Sequence, residues 1–129
     1  RKTSDWIRRV AAIEGYRTGD ITVVFCSDAA LLEVNRQFLS HDYFTDIITF
    51  DYTDQEKKII SGDLMISIDT VRDNAVEFGA TFENELFRVI IHGVLHLLGH
   101  GDKAPGEEAK MHALEDKYLS IRETDETKS

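Results

Sequence analysis

Apolar residues recur along this chain with two different periods, and the changes from one to the other mark out eight elements. Trp6, Val10 and Ile13 form the stripe of a short amphipathic helix over about Ser4 to Glu14, with Ser4 or Asp5 placed to cap it and Gly15 to end it. The β-branched and aromatic run Ile21 to Cys26, between Gly19-Asp20 and Ser27-Asp28, predicts a strand. Asp28 opens a second helix whose apolar side carries Leu31, Leu32, Val34, Phe38 and Leu39. Asp46 to Tyr52 and Ile59 to Ile68 predict two strands, and the polar stretch Thr53 to Lys58 between them suits a hairpin.

Asp69 or Thr70 then caps a helix with Val71, Ala75 and Phe78 turned inward, stopped by Gly79 as a left-handed residue. The longest helical pattern, Glu83 to Leu98, is apolar around nearly its whole circumference and predicts a central buried helix. After a loop, Gly99 to Gly106, with the single proline, Pro105, a last helix runs over about Glu107 to Leu119 with Met111, Leu114 and Tyr118 at helical spacing. The architecture expected is α+β, a small mixed β-sheet packed with helices. Residues 1–122 are expected to form one domain and the charged residues 123–129 a frayed tail.

Composition narrows the functions open to such a domain. With 129 residues, 42% of them hydrophobic and 30% charged, the chain suits one globular domain and not a disordered segment. Twenty-four acidic against fifteen basic residues leave a net charge of -9, which excludes a globally basic nucleic-acid binder and repels anionic membranes, though not a local basic patch. A single cysteine, Cys26, permits no internal disulfide, so the cytoplasm, a reducing compartment, is expected, with the thiol buried. Val89 to Leu98 is too short to span a bilayer and is broken by His92, Gly93 and His96. No signal peptide is legible, and because the sequence opens on Arg1, residues ahead of it are expected.

The chemistry concentrates in His92 to Asp102, which holds three of the five histidines. His92 and His96 are four apart, so in a helix their imidazoles share one face a turn apart and can reach a common ion. Gly99 and Gly101 allow the chain to turn back and aim a further ligand, His100 or Asp102, at the same point. Three protein ligands leave a position for water, whose pKa such an ion lowers from ~15.7 to about 7. The competing reading is a pair of hydrogen-bonded core histidines, but burying two imidazoles in so apolar a helix is unfavourable unless each finds partners. Gly93 stands where zinc peptidases of the HExxH type carry their general base, which disfavours a peptidase.

At these residues the sequence resembles the YbeY family of endoribonucleases, also described as rRNA maturation factors. HGVLHLLGH, from His92 to His100, matches the family pattern H-G-x-L-H-L-x-G-[YH]-D-H. LEVNRQFLSHDYFTDIITFDY (Leu32 to Tyr52) and SGDLMIS (Ser61 to Ser67) are similar to two further family blocks, and the resemblance extends from about Ile21 to Tyr118. It implies one zinc ion per chain on His92, His96 and Asp102, the last at the position of the family's third histidine, with His100 coordinating as the second choice. Aspartate is a harder, negative ligand, so the ion would be less Lewis-acidic. The family usually carries an arginine where this chain has Leu39, which leaves Arg36 as the replacement cation and His100 as a nearby acid or base.

The resemblance thus implies a metal-dependent endoribonuclease cutting single-stranded rRNA precursors, in rRNA maturation and ribosome quality control, with a ribosomal protein or an assembly GTPase as partner and no membrane. Two alternatives stand beside it: a non-catalytic, metal-stabilised ribosome-assembly module, and a small-molecule metallohydrolase, which a compact pocket without an adjoining groove would favour. Arg8, Arg9, Arg36, Arg72 and Arg88 either gather into a basic face or are spread in salt bridges. Thr45 and Asp46 read as turn and cap residues that the family pattern sets near the metal. Asp63 reads as an edge or bulge residue, or as a partner of a ligand imidazole. His41 and His112 read as surface residues.

Overall fold

The computed structural model describes residues 2–39 and 45–128, with side chains through 122; His41 lies outside the described residues. The element order is α1 (Lys2–Ile13), β1 (Arg17–Cys26), α2 (Asp28–Leu39), β2 (Ile47–Asp51), β3 (Ile59–Ser67), α3 (Ile68–Phe78), α4 (Phe82–Leu97) and α5 (Glu107–Lys128). The strands form a mixed sheet in the order β1-β3-β2, with β1 parallel and β2 antiparallel to the central β3. The β2–β3 hairpin and the α+β class therefore hold as the sequence predicts.

Burial explains the arrangement. Along β3 every second residue faces inward, so Ile60, Leu64 and Ile66 form one apolar row. Onto this row packs α4, whose Ile91, Val94, Leu95 and Leu97 are fully buried, which makes it the central helix expected. Trp6 stacks edge-on against Phe87 of α4, with ring centroids 5.8 Å apart, and its indole N–H donates to the carbonyl of Tyr118 at 2.8 Å. One side chain so ties α1 to both α4 and α5.

The ends of several elements differ from expectation for local reasons. β1 begins at Arg17 because pairing with β3 starts there, and the turn-like Gly19-Asp20 is absorbed as a register shift between Thr18 and Ile21. Ser67, not Asp69 or Thr70, caps α3: its hydroxyl accepts from the Thr70 amide at 3.2 Å and donates to Asp28. Those hydroxyl bonds, from Ser67 first and then Thr70, hold the Asp28 carboxyl below its usual pKa. Asp69 in turn accepts from the Asp28 amide at 3.0 Å, so α2 and α3 cap one another. The last helix continues to Lys128, well past Leu119.

One inward assignment is corrected. Val71 and Ala75 are buried as expected, but Phe78 is 67% exposed. Its spacing keeps it on the same stripe, yet α3 ends at Phe78, where the ring borders a cavity and stays largely in solvent. Gly79 follows with φ +67°, the left-handed stop the sequence predicts.

Two glycines sit at close approaches, one between the neighbouring strands β2 and β3 and one where α4 meets the sheet. A Cβ at Gly62 of β3 would lie 2.4 Å from the carbonyl oxygen of Phe50, whereas one at Gly93 of α4 would meet the tips of Ile47 and Leu64 at 2.8 and 2.9 Å. A backbone oxygen cannot give way as a side-chain tip can. Gly62→Ala is therefore expected to cost more stability than Gly93→Ala, itself about 1–3 kcal/mol, in chemical denaturation. Equal losses would show that the sheet relaxes at Gly62.

Candidate metal centre

The C-terminal turn of α4 builds the site. His92 and His96 lie one helical turn apart with ring centroids at 4.6 Å, and their Nε2 atoms approach to 3.1 Å. Beyond Leu97 the helix closes in a Schellman arrangement: the Gly99 amide donates to the His96 carbonyl and the His100 amide to the Leu95 carbonyl, both at 3.0 Å, with Gly99 at φ +97°. The chain is thereby turned back, and Asp102 Oδ2 comes to lie 3.2 Å from His92 Nε2 and 3.5 Å from His96 Nε2.

These three residues are the group of metal-ligating side chains found among the described residues. Ligand bonds of ~2.0–2.1 Å at tetrahedral angles set donor atoms about 3.3 Å apart, and the three separations here bracket that figure. Two imidazoles and a carboxylate suit a divalent transition ion, so the residues fit such an ion on both spacing and donor chemistry.

Glu115 of α5, 3% exposed, orients the first ligand. His92 Nδ1 donates to its Oε2 at 2.7 Å, while Arg88 donates to its Oε1 at 2.9 Å and to Asp116 at 2.6 Å. With Nδ1 committed to a carboxylate, His92 presents Nε2 to the centre. Burial alone would raise the Glu115 pKa, but the bonds from His92 and Arg88 outweigh it and hold the carboxyl below its ordinary value. Burial likewise works against the His92 cation, yet Glu115, then Asp102 and Asp46, raise its pKa above 6.5. At His96 burial and the neighbouring His92 charge act together and lower it. Sequence reasoning missed Glu115, although a signal existed: with Met111 and Tyr118 it completes an i, i+4, i+7 stripe, a lone carboxylate at buried positions.

The other candidates are dispersed. His100 is outside the three-residue group; its Nε2 lies 2.9 Å from Glu14 Oε1, while the buried Tyr118 hydroxyl donates to the other oxygen of Glu14. That contact anchors the turn carrying Asp102 to α1 and α5. Arg36 is exposed on α2 and lines neither cavity at the centre, whereas Asn35, Leu39 and Lys103 line one of them. Asp63 sits on the central strand, not at an edge, and pairs with Thr22 and Phe50. Cys26 is half-buried rather than buried, with burial, then Asp28 and Asp69, raising its thiol pKa. His112 is exposed, as expected, 3.7 Å from Glu115. The arginines are spread over α1 to α4, with Arg8 on Asp5, Arg72 on Asp69 and Arg88 on Glu115. They form ion pairs more than a basic face.

Two cavities meet at the centre, one of about 570 Å³ and one of about 470 Å³. Both are walled by Asp46, His92 and Asp102. Burial, partly offset by His92, raises the Asp46 pKa. Among the described residues no helix is long and apolar enough to cross a membrane.

The family model described as Endoribonuclease YbeY matches residues 1–122. The chain belongs to the YbeY family. It is 57% identical over 122 residues to Endoribonuclease YbeY of Bacteroides thetaiotaomicron, covering 95% of this chain and 88% of that protein. It is 49% identical over 125 residues to Endoribonuclease YbeY of Porphyromonas gingivalis, covering 96% and 82%. The solution structure of TM1509 from Thermotoga maritima superimposes with a TM-score of 0.63 at 26% identity, over 98% of this chain and 85% of that one. Asp102 stands with His92 and His96 in the group that could hold a metal ion, and Leu39 lies on the wall of the cavity that the two histidines share. Lys103, a cation that sequence reasoning overlooked, lines the same cavity.

Because a metal must displace the proton from His92 Nε2, its apparent affinity is expected to fall as pH drops through a value above 6.5. In the metal-free chain the sign reverses: a raised pKa stabilises below the unfolded value, and that contribution is lost as pH rises through the folded one. Glu115→Gln should weaken metal binding roughly 10–100-fold. Competition against a chromophoric chelator, with circular dichroism as the control for folding, checks both; unchanged affinity in that variant would mean His92 is oriented by other contacts.

Proposed function

We propose that the chain is a divalent-metal-dependent endoribonuclease acting on single-stranded RNA, with zinc as its ion, one per chain, and rRNA precursors as its substrate. Membership of the YbeY family supports the endoribonuclease class. The observation that carries the finer reading is the convergence of His92, His96 and Asp102 at the junction of two cavities, so that the centre is flanked on both sides. A small-molecule hydrolase needs one enclosed pocket; a polymer needs a path past the reacting bond.

An ion bound by these ligands supplies Lewis acidity to a phosphate oxygen or to water. His92, His96 and Asp102 hold it, and Glu115 fixes the imidazole that faces it. Asp46, at the meeting point of the cavities and with its pKa raised mainly by burial, is the carboxyl placed to exchange a proton there. Lys103 takes the position of the backbone-neutralising cation in the smaller cavity. The working unit is 1–122, the stretch the family model matches, in the cytoplasm, with a ribosomal protein or assembly GTPase as docking partner.

Leu39 on the cavity wall favours one other reading, a metal-stabilised assembly module without catalysis. The two part on a single preparation. Metal content by inductively coupled plasma mass spectrometry is expected to give one ion per chain, and single-stranded RNA should be cut by the wild type and left intact by His96→Ala. A protein holding one ion that cuts no RNA would transfer the case to the assembly module. Full cleavage by His96→Ala would remove the metal from the reaction.

A further inference from the structure

The exposed ring of Phe78 has an address. It lines the cavity of about 570 Å³ that His92 and Asp102 also line, and Asn74, one turn earlier on α3, borders the same space. Val89 and Met111 add apolar surface. Apart from the metal ligands, the charged or titratable groups facing this cavity are Asp46, Glu85, Glu108 and Glu115 against Arg88 and His112. The Arg88 guanidinium is already held by Glu115 and Asp116. A phosphate entering here meets an acidic wall, whereas a neutral planar ring meets an aromatic face, an amide with one acceptor and two donors, and apolar side chains.

We propose that this cavity is a nucleobase subsite: the base next to the phosphate at the His92, His96 and Asp102 centre stacks on Phe78, with its edge against Asn74. The inference rests on the reading of an RNA strand as the substrate and adds how that strand is held. Charge divides the nucleotide, with the phosphate at the cation-binding centre and the base turned into the acidic, partly apolar cavity. Stacking of this kind is sequence-tolerant because every base has a π-face. Val76, more exposed still at 79%, does not line the cavity and has no part in the subsite.

Phe78 is exposed and outside the metal ligands, so its replacement leaves the fold and the metal content unchanged. In steady-state cleavage of a single-stranded RNA, Phe78→Ala should raise KM roughly tenfold with kcat retained, and Phe78→Trp should restore it. An abasic site walked along the RNA should raise KM to a similar extent at one position for the wild type, and at that position add nothing further to Phe78→Ala. The indole introduced by Phe78→Trp should also be quenched on mixing with RNA, before cleavage proceeds, which reads contact without activity. Wild-type KM in Phe78→Ala, additive abasic effects, or an unquenched indole while RNA is cut would overturn the subsite. Quenching without any cleavage would leave the subsite standing and defeat the nuclease reading. An RNA that neither binds nor is cut would defeat both, and would make the exposed ring a protein contact instead.

Discussion

The structure turns on one buried carboxylate. Glu115 lies between α4 and α5 with almost no access to water, and an ionised group in that position is tolerated only if it is neutralised on the spot. Arg88 and His92 do so from two sides, both from α4 and one turn apart. The same pairs join the two helices, fix the His92 tautomer and leave Nε2 facing His96 and Asp102. Stability and site geometry therefore share their interactions, and neither can be altered at Glu115 without touching the other.

Legibility in the sequence follows the range of the interactions involved. The helical period placed His92 and His96 on one face, the glycines after α4 announced the reversal, and the alternation in β3 gave its inward row, because each is a property of neighbouring residues. What was missed depends on residues far apart in the chain. Glu115 acquires its meaning from Arg88 and His92, 27 and 23 residues away, and His100 from Glu14, 86 residues away. Phe78 shows the converse: its spacing obeyed the stripe of Val71 and Ala75, but spacing cannot say where the packed surface stops. The start of β1 at Arg17 was hidden similarly, since pairing with β3 overrode the turn signal of Gly19-Asp20.

Net charge set a problem that the arrangement of charges answers. A chain at -9 has little long-range attraction for a polyanion, and Arg8, Arg72 and Arg88 are taken up by Asp5, Asp69 and Glu115. Recognition of RNA by phosphate contacts over a broad face does not suit such a surface. On the proposed reading, attraction confined to one divalent centre, with Lys103 beside it and an aromatic face for a base, would need no global field.

Asp102 gives this local economy a sharper form. With a divalent ion bound, two neutral imidazoles and one carboxylate leave the ligand set at +1, where three imidazoles would leave +2. Counting the ionised Glu115 but not Arg88, the cluster is neutral; Arg88 restores one positive charge. On the proposed reading, a centre with less excess charge would attract phosphate less strongly and polarise it less, and the same wall carries the apolar Leu39. Both features would limit electrostatic stabilisation of a developing oxyanion. They act in one direction, which would place a larger share of substrate binding on contacts that carry no charge, and the aromatic and amide side chains lining the larger cavity are of that kind.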